Sequence, residues 1–143
     1  MTAKWVTASP AGKVYEVFAR INLEDTLHHI GSVIAPDAEL ARVYAFTIYQ
    51  EWAWVEMIVV PRQRIHDSSG VTEYLIFAHK SYQQPLELLG SLRVEREADA
   101  DQTRLVELAH GQFGREEWID MIAVPQSAVV QVIPDTQSER ISP

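Results

Sequence analysis

His28 and His29 stand side by side in a run of β-forming residues, and a histidine pair is a natural place to look for a metal site or a proton relay. Neighbouring residues of a strand point to opposite faces, so these two imidazoles do not share one ion without ligands brought from elsewhere. The expectation is one half-buried ring and one exposed ring, with no metal. His66, His79 and His110 fall in a linker, at a strand end and at a helix end, where a solvated ring is expected. Glu16, Glu56 and Asp120 sit in strand-like runs, and an acid–base pair would need two carboxylates converging across a cleft. Alternation instead places Glu56 and Asp120 on solvent faces. Gly31-Ser32 and Gly90-Ser91 set a hydroxyl beside a strand glycine, which suggests a bulge or a close backbone approach rather than a nucleophile. There is no Gly-rich phosphate loop, no Gly-x-Ser-x-Gly and no pair of Glu-x-x-His segments of the kind di-iron helices carry. With no cysteine, disulfides, thiolate zinc and iron–sulfur sites are excluded. The expected catalytic, cofactor and metal sets are therefore empty.

The 143 residues make one compact domain or two very small ones, 47% hydrophobic and 22% charged, as in ordinary globular proteins. Twelve Lys+Arg against 20 Asp+Glu give a net charge of −8, which repels the phosphates of nucleic acid and of anionic membranes. The densest basic cluster is only Arg62-Gln-Arg64. Met1-Thr-Ala-Lys-Trp-Val lacks the apolar core of a secretory signal, and the uncharged stretch Met121–Pro134 is too short and too proline-interrupted to span a bilayer. A cytoplasmic location, with neither nucleic acid nor membrane as partner, is expected.

The chain repeats itself. Tyr15-Glu-Val-Phe-Ala19 reads against Tyr74-Leu-Ile-Phe-Ala78 at a shift of 59 positions, and Gly31-Ser32-Val33 falls on Gly90-Ser91-Leu92 at the same shift. Glu56-Met-Ile-Val-Val-Pro61 matches Asp120-Met-Ile-Ala-Val-Pro125 at a shift of 64, which also sets Trp54 on Trp118. Three blocks in one order, with a five-residue insertion between Leu92 and Trp118, identify a duplication. The second copy carries Leu88-Leu89 in place of the two histidines.

Each copy reads as β-β-α-β, an α+β fold. In the first, alternation marks a strand over 14–21, a polar turn over 22–25 and a returning strand over 28–35. Asp37 after Pro36 is a helix N-cap, opening a helix over 38–50 whose apolar face is Leu40, Val43, Tyr44, Thr47 and Ile48. Trp54 to Val60 is a third strand. The second copy gives strands over 73–79 and 86–94, a helix over 100–110 with Gly111 as its C-cap, and a strand over 118–124. Residues 127–133 are placed as an edge strand. The domains are thus 13–65 and 72–133, joined by a linker at 66–71 and followed by a flexible tail at 134–143. Residues 1–12 are at most loosely attached. A unit of this size buries too little alone, so the two are expected to pack about a pseudo-two-fold axis. Tyr44, Tyr49, Trp52 and Trp54 crowd one stretch of the first copy; most belong to a core, but such an excess also suits a partner interface.

Tyr15-Glu-Val-Phe-Ala-Arg20, then His29-Ile-Gly-Ser-Val33, then Ala35-Pro-Asp37 before an alanine-rich helix, together resemble the phenylacetic acid degradation B family (PaaB), the small B subunit of the multicomponent ring-1,2-phenylacetyl-CoA epoxidase. The similarity covers about 14–61 and, more weakly, 74–125. It implies a ubiquitin-roll-like fold and a non-catalytic scaffold role in aromatic acid catabolism. The partners would be a catalytic di-iron oxygenase subunit and its structural relative, bridged by this chain. On this resemblance Tyr15, Phe18, Arg20, His29, Gly31 and Ser32 are the candidate partner-binding surface and its support, with Arg20 the candidate for a bidentate clamp on a partner carboxylate. The chain departs from the family in carrying two copies, in having His79 at the Arg20 position of the second, and in replacing the basic helix end by Thr47-Ile-Tyr-Gln-Glu-Trp52. The alternative from the residues alone is a small-molecule protein for an aromatic acid or its CoA thioester. Its pocket would lie between the halves and be lined by Trp52, Trp54 and Trp118. A stand-alone homo-oligomer with no oxygenase link is the third possibility.

Overall fold

Lys13–Arg20 forms β1, whose alternation sends Tyr15, Val17 and Ala19 to one face and Glu16, Phe18 and Arg20 to the other. It pairs antiparallel with His28–Ala35 (β2) on one side and with Glu56–Pro61 (β3) on the other, so it lies in the middle of the three. The computed structural model describes residues 12–66, 73–94, 102–114 and 118–133. The expected N-terminal segment, the linker beyond His66, the first residues of the second helix and the tail lie outside these.

Between β2 and β3 runs α1, Ala38–Ile48, and the Asp37 carboxylate accepts the Leu40 amide at 2.9 Å as its N-cap. The helix ends before the expected boundary, with Tyr49 at the C-cap. Its inward face also differs from expectation. Ala41 and Ala45 are the buried helix residues, packed on Tyr15, Val17, Val33, Met57 and Val59, while Leu40, Val43, Tyr44 and Ile48 stay exposed. Two methyl groups let the helix axis sit close over a sheet that already supplies large side chains, and the broader apolar stripe is left outside.

Val130–Ile133 (β7) pairs antiparallel with β3, so these residues complete the first unit rather than the second, to which the sequence reading gave them. Without β7 the apolar strand β3 would leave a row of backbone groups open on its outer side.

Gln63–Val129 make the second unit. Glu73–His79 (β4) pairs antiparallel with both Glu87–Arg93 (β5) and Ile119–Pro125 (β6), and Gln102–Phe113 (α2) connects the last two. Leu105 and Ala109 pack on Tyr74, Ile76, Leu92, Met121 and Ala123. Gly111 lies inside α2 and does not cap it. Gly114 does, at φ 102, with its amide on the His110 carbonyl at 2.9 Å, a backbone state that side-chain-bearing residues rarely adopt. The molecule is α+β with antiparallel pairing in each unit. Among the described residues no helix is long and apolar enough to cross a membrane.

Both units share one strand order, a central first strand flanked by the second and third. Both break register at the same place: Val17 faces Gly31 while Phe18 faces His29, and Ile76 faces Gly90 while Phe77 faces Leu88. This register sets His28 and His29 against Glu87 and Leu88, correcting the alignment to Leu88-Leu89.

Candidate functional site

The bulge opposite Val17 and Phe18 decides what β2 presents to β1. In an unbroken strand His29 and Ser32, three residues apart, would face opposite ways. One inserted residue, Ile30, turns both to the side of Glu16 and Phe18. There Glu16 is only 8% exposed. Its Oε1 accepts from the Ser32 hydroxyl and lies against His29 Nε2, each at 2.8 Å, and its Oε2 accepts from Arg62 Nε. Burial pushes the carboxyl up, but the hydrogen bonds from His29, Ser32 and Arg62, joined by the Arg62 charge, outweigh burial and hold it at about 2. The His29 ring leans on Phe18 at 5.2 Å between centroids.

Tyr49 reaches back over β2 from the end of α1. Its hydroxyl is hydrogen-bonded to the Ser32 backbone and sits where a Cβ on Gly31 would be, 1.9 Å away. Burial, followed by the nearby Glu16 charge, raises the phenol above its ordinary value despite that bond. In the second unit a Cβ on Gly90 would meet Phe113 at 2.9 Å, so each strand glycine makes room for an aromatic ring. Trp54 Nε1 donates to the Tyr49 carbonyl at 2.6 Å, and Trp118 Nε1 to the Phe113 carbonyl at 3.0 Å.

The six sequence-picked residues are therefore placed as follows. Tyr15 and Phe18 are buried and can only support a surface from beneath. Gly31 lies under Tyr49. His29 and Ser32 converge on Glu16, which the sequence reading had not singled out as a hub. Arg20 stands apart: Nε bonds Glu56 Oε1 at 2.8 Å, and Nη1 reaches the carbonyls of Leu23 at 2.7 Å and of Asp25 at 3.3 Å. Its guanidinium ties the β1–β2 turn to β3. Glu56 is accordingly paired rather than solvated. Arg62 and Tyr49 were missed; the signal was a lone carboxylate in phase with Phe18, set among the apolar residues between Lys13 and Arg20.

Chemically this cluster is a clamp. Ser32 and His29 both address the same carboxylate oxygen, so no serine–histidine–acid relay is formed. Of the other histidines, His28 lies 3.8 Å from the Asp25 carboxylate and three bond to the backbone. His79 Nδ1 donates to the Gln84 carbonyl at 2.6 Å and His110 Nδ1 to that of Gly114 at 3.2 Å. His66 is half-buried against Ala123, and burial pushes its pKa down. Among the described residues, no group of three or more His, Asp or Glu stands together as a metal site.

The other candidate surface is the outer face of α1. Leu40, Val43, Tyr44, Phe46, Ile48 and Trp52 are between 36% and 58% exposed. Beside them Phe46, Trp52, Trp54, Met57 and Ile133, with Gln50, line a cleft of about 390 Å³, all within the first unit. The Trp52 and Trp54 rings are tilted at 48° and 6.5 Å apart. At a shift of 64, the positions of Leu40, Val43, Phe46 and Ile48 hold Arg104, Glu107, His110 and Gln112 on α2, and only that of Tyr44 keeps an apolar residue among the helix positions compared, Leu108. One helix is wet on its outer side and its counterpart is apolar. Comparison of the chain with protein-family models, with curated proteins and with solved structures finds no match.

Proposed function

We propose that this chain is a non-catalytic, cytoplasmic bridging subunit of a phenylacetyl-CoA epoxidase-like, multicomponent di-iron oxygenase, and that its two ubiquitin-roll-like units arose by duplication and pack about a pseudo-two-fold axis. The observation that carries the bridging role is the apolar outer face of α1 beside Trp52, where the corresponding face of α2 is polar. Monomers rarely keep so much contiguous apolar side chain in water without a partner for it. The duplication is supported by the shared strand order, the shared bulge and the paired glycine–aromatic contacts. The family resemblance supplies the identity of the partner. The buried Glu16 clamp serves this role by holding β1, β2 and the turn after β3 in register.

A tagged pull-down from the native host grown on phenylacetate, with mass-spectrometric identification, tests the reading. Recovery of a di-iron four-helix oxygenase subunit is expected. A chain recovered alone overturns it. The cleft at Trp52 favours the rival small-molecule reading, but among its described lining Gln50 is the one polar side chain, and no cation is there to hold a carboxylate or a CoA phosphate.

A further inference from the structure

We infer that the groove between α1 and β7 docks an amphipathic helix of a partner protein, with an apolar ridge for the groove and lysine or arginine flanks for its acidic ends. This deepens the bridging reading and rests on it for the partner's existence, but its chemistry comes from the first unit itself. A hollow of about 210 Å³ lined by Arg42, Val43, Phe46 and Val132 meets the larger cleft of about 390 Å³ at Phe46. Together they run along the helix where it faces the β7 side chains. The lining from Arg42 to Gln50 gives a trough on the order of 12 Å long, a little over two helical turns. The larger hollow beside Trp52 and Met57 has room for one bulky anchor side chain, and anchors of that kind dominate binding energy.

Charge selects between occupants. Asp37 and Glu39 stand at the start of the helix and Glu51 beyond its end. Glu39 and the groove-lining Arg42 pair at 2.9 Å and offset each other, so Asp37 and Glu51 set the sign of the rim. A second copy of this chain would bring its own acidic rim and a net charge of −8 against the same groove, which like-charge repulsion disfavours. A basic-flanked helix is attracted instead.

The test uses the full chain and two synthetic 18-residue helical peptides with the same leucine ridge, one flanked by lysine and one by glutamate. Tryptophan fluorescence and calorimetry should show the lysine peptide binding at least tenfold more tightly than the glutamate peptide, with affinity falling as salt is raised. Val43→Glu, and separately Phe46→Ser, should each weaken it at least tenfold while leaving the thermal melt in place; the second variant covers a misfolded first. Equal binding of both peptides, or of neither, overturns the inference. So does a chain that light scattering shows to be a dimer split by Val43→Glu, because the occupant is then a second copy. An oxygenase subunit recovered equally well by wild type and by Val43→Glu sinks this groove but leaves the bridging role standing on another face. A lysine peptide that docks on a chain with no oxygenase partner does the reverse.

Discussion

Glu16 is a carboxylate in a place where the second unit has Leu75, and His29 is likewise matched by Leu88. The fold accepts an apolar pair at this spot, so the charged cluster is a local choice with a testable energetic signature. Removing a donor leaves a buried charge short of partners, whereas removing the charge and the donor together restores what the other unit uses. His29→Leu should therefore cost roughly 1–3 kcal/mol, and adding Glu16→Leu should recover much of it, as read from denaturant melts of the single and double variants. The pH dependence follows from the depressed carboxyl. A group held at about 2, against an ordinary 4.5, contributes stability that is complete above 4.5 and is lost as pH falls from there through about 2. The upper bound is about 3 kcal/mol, and nearer 1–2 once screening at the exposed Arg62 is counted. Glu16→Gln should flatten the acid limb of stability across that window; an unchanged limb would show that Glu16 is not its source. At Gly31, an added methyl must displace Tyr49. Gly31→Ala should cost about 1–3 kcal/mol, less in a Tyr49→Leu background. Gly31's close approach was legible because a glycine interrupts a strand of β-branched and aromatic neighbours. Glu16's role was not, because it depends on a bulge that changes which residues share a face without changing their order.

Elements were legible wherever periodicity is local. The six strands and two helices of the repeat fall where alternation and the Asp37 cap place them, to within a few residues. What failed was whatever depends on distant packing. β7 follows the second unit in sequence but joins β3 of the first, since strand pairing is settled by which edge is open rather than by chain order. The α1 stripe of Leu40, Val43 and Tyr44 was read as inward because an apolar face usually is. Ala41 and Ala45 carry less apolar surface but permit closer approach to the sheet. Gly111 and Gly114 give a matched pair of predictions on α2. Nothing lies within 4 Å of a Cβ added at Gly111, so Gly111→Ala should raise stability by about 0.5–1 kcal/mol through helix propensity. Gly114→Ala should lower it by about 1 kcal/mol, because φ 102 is unfavourable for any side chain. Thermal melts of the two variants should move in opposite directions; movement in the same direction would place the helix end elsewhere.

The two units match in build but not in surface, and that asymmetry bears on how the molecule assembles. Both units keep the strand order, the bulge, the glycine under an aromatic ring and the indole bound to a backbone carbonyl. They differ on the outer faces of their helices, where α1 exposes Val43 and Phe46 and α2 exposes Glu107 at the place matching Val43. If the apolar face is what a partner helix grips, one chain holds one such helix, although it contains two units of the same build. Calorimetry with the lysine-flanked peptide should return one site per chain. The stoichiometry can then be raised by making the second unit resemble the first: Arg104→Leu with Glu107→Val gives α2 an apolar outer face while leaving His110 on the Gly114 carbonyl. Both positions are surface residues whose 3.9 Å ion pair is worth little in water, so the change should leave stability within about 0.5 kcal/mol. A second, weaker site is expected, weaker because among the described residues neither a strand like β7 nor a cleft like that at Trp52 lies beside α2. Two sites already present in the wild-type chain would show that the apolar face of α1 does not set the stoichiometry.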